Sequence, residues 1–146
     1  MRVLLISVGN HLRRDDGVAH AVTQLPGAAD FESRALIQLT PEVAEDIAGY
    51  DAVIFLDADA RAADSNIETL DESRSVSALT HVSSPAEIVE LSRTLFGFAG
   101  QAFLCRIPVD DLSFGEGLSF RAREHAARAA RELAILLRDL RSAHRI

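Results

Sequence analysis

Apolar residues recur along this chain in two rhythms, short continuous runs and three-and-four spacings, and the two alternate. Val3 to Val8 is a short β-branched run closed by the turn signal Gly9-Asn10, and it reads as a buried first strand. Asp16 to Leu25 reads as a helix: Val18, Ala21, Val22 and Leu25 line one face, Asp15 or Asp16 can cap it, and Pro26-Gly27 stops it. Phe31 to Ile37 reads as a second strand. Thr40-Pro41-Glu42 has the form of a helix entry, Thr as N-cap and Pro at the first helical position, with Val43, Ala44 and Ile47 inward. Asp51 to Asp57 is the clearest strand, and Ala58 to Asn66 the loop after it. Ile67 to Leu70 and Ser75 to Leu79 alternate weakly, as short strands do. Ser84-Pro85-Ala86-Glu87 opens a further helix, with Ile88, Leu91, Ser92 and Leu95 as its inner face. Gln101 to Val109 reads as the last strand and Asp110 to Gly117 as a loop. Ser119 to about Ser142 is a long helix whose stripe is Ala122, Ala126, Ala129, Ala130, Leu133, Leu136, Leu137 and Leu140. Glu124 and Arg128 are spaced to pair on its wet face.

Strands alternating with helices predict an α/β fold: three layers, a twisted, mostly parallel sheet of about five strands, and helices on both faces. A length of 146 residues fits one domain spanning 1–146. No repeat, low-complexity tract or linker interrupts it.

Composition narrows the chemistry. Formal net charge is −7, which argues against phosphate-backbone or anionic-membrane binding. Every basic side chain other than His is Arg. Without Lys, a Schiff-base or Walker-type lysine is excluded. Cys105 is the only cysteine and sits in the apolar run Ala102-Phe103-Leu104-Cys105, so neither an internal disulfide nor a thiolate zinc cluster can form. The first apolar run is short and lacks a small-residue cleavage site, and no run reaches the ~20 apolar residues of a membrane span. A cytoplasmic protein is the simplest expectation.

Three residues stand where chemistry is expected. Asp16 follows the first strand in Val8-Gly9-Asn10-His11-Leu12-Arg13-Arg14-Asp15-Asp16-Gly17, Asp57 ends the clearest strand, and His81 precedes Ser83-Ser84-Pro85. Taken singly, each has an ordinary reading: a helix cap, a turn former, a loop histidine. Together they differ, because strand carboxyl ends share one rim of an open α/β sheet and ligands bind there. Two carboxylates and an imidazole suit a borderline divalent metal. Nucleotide binding is disfavoured, since Ser7-Val8-Gly9 supplies one glycine of a dinucleotide fingerprint and the acidic helix entry repels phosphate. Asp110 and Asp111 read as solvated loop acids, and His20, His125 and His144 as structural or exposed. His11 is open between guarding the site and a surface role.

The first of these segments, Val8-Gly9-Asn10-x-Leu12-x-x-Asp15-Asp16-Gly17, resembles the opening motif of the hydrogenase maturation proteases. Val53-Ile54-Phe55-Leu56-Asp57-Ala58 looks like that family's second motif and Thr80-His81 like its third. Phe114-Gly115-Glu116-Gly117-Leu118-Ser119 resembles the approach to its last helix. The resemblance implies an endopeptidase that recognises nickel in a [NiFe]-hydrogenase large-subunit precursor and removes its C-terminal extension. It implies that Asp16, Asp57 and His81 contact the nickel, as catalytic and metal-contacting residues. The nickel would be presented by the substrate and not permanently bound. The chain differs from the family pattern in three places: Ser7 replaces the first Gly, Ala58-Asp59-Ala60-Arg61-Ala62 lacks the usual Gly and Pro, and Gln38-Leu39-Thr40-Pro41-Glu42 replaces an Asp-Gly-Gly stretch. Two other functions stay open. One is a non-proteolytic scaffold of the same fold that binds a metal or a metalloprotein; the other is a small α/β hydrolase with a resident divalent ion. No nucleic-acid or membrane partner is expected. The oligomeric state is open, with a monomer compatible.

Overall fold

A computed structural model describes residues 1–70 and 83–144. In chain order the elements are β1 (Val3–Val8), a 3-10 turn (Arg14–Gly17), α1 (Val18–Val22), β2 (Glu32–Leu36), α2 (Val43–Ile47) and β3 (Ala52–Asp59). Then come β4 (Asn66–Thr69), α3 (Pro85–Phe96), β5 (Gln101–Pro108) and α4 (Phe120–His144). The five described strands form one sheet in the order β2-β1-β3-β5-β4, with β4 antiparallel to β5 and every other pair parallel. The expected α/β architecture, a mostly parallel sheet between helices, is what forms.

Alternation along the strands divides the core in two. Leu5, Ile54, Leu56, Phe103, Cys105 and Ile107 face one way and pack with Val18, Val22, Ala126, Leu133 and Leu137 of α1 and α4. Leu4, Ile6, Val53, Phe55, Ala102 and Leu104 face the other way and pack with Val43, Ile47, Ile88 and Val89 of α2 and α3. Strands buried on both faces carry continuous apolar runs, which is why β1, β3 and β5 were readable as runs and not as alternations. Edge strand β2 is exposed along most of its length.

Several boundaries differ from the expected ones. The helix expected over Asp16–Leu25 divides into the 3-10 turn and the five-residue α1, then a run of turns to Asp30. Thr23 ends α1 by turning its hydroxyl back onto the His20 carbonyl, 2.8 Å away. In α3, Ser84 caps the helix as expected, accepting from Glu87 N–H at 3.1 Å. Its buried face is Ile88, Val89 and Ser92, with Leu91 half-buried and Leu95 63% exposed. Left-handed Gly97 (φ 72°) ends the helix and turns Phe98 into the core in place of Leu95. On α4, Arg128 points to Asp64 at 3.5 Å and not to Glu124. The strand expected over Ser75–Leu79 lies outside the described residues.

Core packing on α4 should be unequal around the helix. Leu133 is fully buried and Ile135 is 51% exposed. Leu133→Ala should cost about 2–4 kcal/mol of unfolding free energy, and Ile135→Ala no more than about 0.5 kcal/mol, in urea titrations followed by circular dichroism.

Candidate active site

The sheet order reverses at β1. Strand β2 lies on one side of it and β3 on the other, so the crevice between the carboxyl ends of β1 and β3 is the topological switch point. Val8, the last residue of β1, is in register with Asp57 on β3. Asp57 shares the parity of Val53 and Phe55. The chain leaves β1 through Gly9 and Asn10, and the 3-10 turn carrying Asp16 packs back against β3.

Gly9 is a steric requirement of this turn. A Cβ there would overlap the Asp16 carbonyl oxygen. Gly9 N–H donates to the Leu36 carbonyl (2.9 Å), and Asn10 N–H donates to Asp16 Oδ2 (2.6 Å). Asn10 also accepts from Leu12 N–H through its side chain at 3.0 Å. Asp16 is therefore held by the loop that follows β1.

Asp57 feels the charge of Asp16. Burial pushes the Asp57 carboxyl up to about 6, against a hydrogen bond from the Ala58 N–H. The charges of Asp16 and Asp59 push it further, and Arg106, its register partner on β5, pulls it down. Arg106 is shared, however: its guanidinium lies 3.8 Å from Asp59 and 2.7 Å from Glu68. Negative charge at the switch point is thus incompletely compensated, which is the condition a cation would relieve. Among the described residues, no group of three His, Cys, Asp or Glu is placed to hold a metal ion. His81, the third expected site residue, lies outside them, so the described part of the site is the pair Asp16 and Asp57. Both acids are half-buried. A hollow of about 440 Å³, lined by Met1, Tyr50, Gly100 and His144 among others, lies at the opposite end of the sheet.

Asp15, expected only as a possible cap, has a larger role. It is fully buried and accepts from Ser119 N–H (2.7 Å), Ser119 Oγ (2.8 Å), Asp111 N–H (2.9 Å) and Asp110 N–H (3.1 Å). Burial alone would raise its pKa, but these bonds outweigh it and hold the carboxyl below the usual range. Ser119 in turn accepts from Ala122 N–H at 3.2 Å, which caps the start of α4. Further backbone bonds, Arg14 N–H to Gly115 O (3.0 Å) and Gly115 N–H to Leu12 O (2.8 Å), join the same two loops. The readable signal was the acid doublet followed, far along the chain, by a serine one residue before a helix.

His20, expected to be structural or exposed, is half-buried with both ring nitrogens engaged, by Ser7 and by the Gly9 carbonyl. His11 is exposed, its backbone close over Gly17. The side chains of Asp110 and Asp111 are solvated, near Arg121 and Arg14 respectively, as expected. Cys105 is buried, and burial pushes its thiol up to about 12, so it is an inert core residue.

Fold and site together define a class: three-layer α/β proteins with an acidic switch point. No family model and no curated protein sequence matches the chain. Solved structures do match. The hydrogenase maturating endopeptidase HybD from E. coli superposes with a TM-score of 0.72 at 20% identity, over 95% of this chain and 93% of that one. The [NiFe] hydrogenase maturation protease HybD from Thermococcus kodakarensis gives 0.65 at 15% identity, over 93% and 99%. An uncharacterized protein from Wolinella succinogenes gives 0.66 at 26% identity, over 96% and 99%. The chain has the fold of the hydrogenase maturation proteases.

The neighbouring acids should respond to pH in opposite senses. Asp15 has a depressed folded pKa, so its stabilisation is present above about pH 4 and lost as pH falls further. Asp15→Asn should cost about 2–4 kcal/mol at pH 7 and flatten the acid limb of the stability profile. Asp57 has a raised folded pKa, so stability falls as pH rises from about 4 to about 6. Asp57→Asn should stabilise the metal-free protein by about 1–3 kcal/mol at pH 8, with the gain vanishing near pH 4. Urea titrations at each pH check both.

Proposed function

We propose that this protein is an endopeptidase that recognises nickel in a [NiFe]-hydrogenase large-subunit precursor and removes the precursor's C-terminal extension. The observation that carries the reading is the acid pair Asp16 and Asp57 at the switch point of the fold that such proteases share, where burial and the charge of Asp16 both disfavour an ionised Asp57. Hard carboxylate oxygens with unrelieved negative charge fit a divalent cation. His81 joins them as a nitrogen donor on the strength of its order in the sequence.

In this reading the nickel is part of the substrate. A divalent cation at such a site supplies positive charge that polarises a carbonyl or a water. The chain's own residues do the rest. Asp16, aimed by the Asn10 N–H, and Asp57, fixed near the carboxyl end of β3, orient the precursor against the rim. Water attacks the peptide carbonyl, one of the two carboxylates takes its proton, and that proton passes to the amine nitrogen as the C–N bond breaks. The same reading puts the protein in the cytoplasm, where such a precursor is made. No helix among the described residues is long and apolar enough to cross a membrane.

Co-expression with a hydrogenase large-subunit precursor, followed by mass measurement of the precursor's C-terminus, tests this. The wild-type chain should trim it. Asp16→Asn, Asp57→Asn and His81→Ala should stay folded and cut at least about 100-fold more slowly. Normal trimming by all three variants would end the reading. Capture of intact precursor by the wild-type chain without trimming would replace it with a binding scaffold.

A further inference from the structure

Ser7 and His20 take no part in the reaction described above, and their geometry leads to Asp16. Ser7 lies on β1 with the parity of Val3 and Leu5, facing the α1 and α4 layer, and is 1% exposed. His20 stands on α1 above it. Its Nδ1 lies 2.7 Å from Ser7 Oγ, and its Nε2 lies 2.7 Å from the Gly9 carbonyl oxygen. A carbonyl only accepts, so Nε2 carries the proton; Nδ1 of the neutral ring then accepts from the Ser7 hydroxyl. The Gly9 carbonyl thereby fixes the tautomer, and the buried serine satisfies and orients the ring through its other nitrogen.

The carbonyl of Gly9 and the N–H of Asn10 belong to one peptide group. His20 holds the oxygen end, and the nitrogen end donates to Asp16 Oδ2 at 2.6 Å. A peptide group is planar, so an orientation imposed at one end is imposed at the other. A donor on its oxygen also polarises the amide and strengthens the N–H as a donor. Glycine alone would leave this plane free, because it has the widest conformational range of any residue. A side chain at position 9 cannot take over the task, because the Asp16 carbonyl occupies that space. Ser7 stands where the resembled pattern has glycine, and glycine has no hydroxyl to orient an imidazole.

We propose that Ser7 and His20 form a positioning pair that sets the Gly9–Asn10 peptide plane and, through the Asn10 N–H, the Asp16 carboxylate. Its functional meaning rests on Asp16 belonging to the site; its geometry does not.

Backbone amide NMR and hydrogen exchange on the full chain test it without substrate. His20→Val should move the Asn10 amide proton upfield and speed its exchange about fivefold, the factor expected for one lost hydrogen bond. His20→Gln places a donor near the former Nε2 and should restore both. His20→Asn is too short to reach Gly9 and should not. Ser7→Gly, which leaves Nδ1 without its partner and loosens the ring, should fall between. A folded His20→Val protein with an unchanged Asn10 amide, or Gln and Asn variants that behave alike, would overturn the proposal. Should His20→Val fail to fold, the contrast between Gln and Asn decides. In the precursor-trimming assay the same series should lower kcat with little change in KM, with Gln again the best. If the wild-type chain trims nothing, the protease reading fails, while the amide result still judges the positioning pair.

Discussion

A buried carboxylate with four donors organises the end of this molecule where the sheet order reverses. Asp15 is fully buried, and every donor it has comes from the loop that enters α4. An ionised group removed from water destabilises the fold unless nearly all its lone pairs are satisfied. The two loops are therefore obliged to meet, and they bring the start of α4 with them. The turn after β1 cannot drift from the rim, because drifting would leave a buried charge without partners. Asp16, the next residue, inherits that rigidity.

Asp15 and Asp57 show how environment separates acids of the same type. For Asp15, hydrogen bonds outweigh burial, and the charged form is favoured. For Asp57, burial dominates, neighbouring acids add to it, and the one nearby guanidinium is divided among three carboxylates. The first arrangement stabilises the fold at neutral pH; the second is a local cost that the fold carries at its switch point. Unrelieved cost at a rim is a common mark of a ligand site, because the ligand supplies what the chain withholds.

How much of this was legible in the sequence follows from the range of each interaction. The parallel core was readable because β1, β3 and β5 are buried on both faces and carry continuous apolar runs. The capped start of α3 was readable because Ser84 and Glu87 interact three residues apart. Asp16 and Asp57 were readable as neighbours because strand carboxyl ends share a rim. The depth of Asp15 was not, since its partners lie 95–104 residues away and three of its four donors are backbone N–H groups with no sequence signature. Leu95 misled for a related reason: helical spacing predicts a face, while Gly97 decides where that face stops being covered.

The pairing of Ser7 with His20 shows the same limit from the other side. A histidine on a short helix and a serine in an apolar strand are each unremarkable, and 13 positions separate them. Only the crossing of α1 over β1 makes them neighbours. Once adjacent, each settles the other: a buried hydroxyl needs a partner, and an imidazole with a fixed acceptor at one nitrogen has one proton to place. The peptide group beyond them is then constrained by chemistry with no charge of its own. A peptide held this way orients the neighbouring Asp16 carboxylate without adding a positive charge beside it.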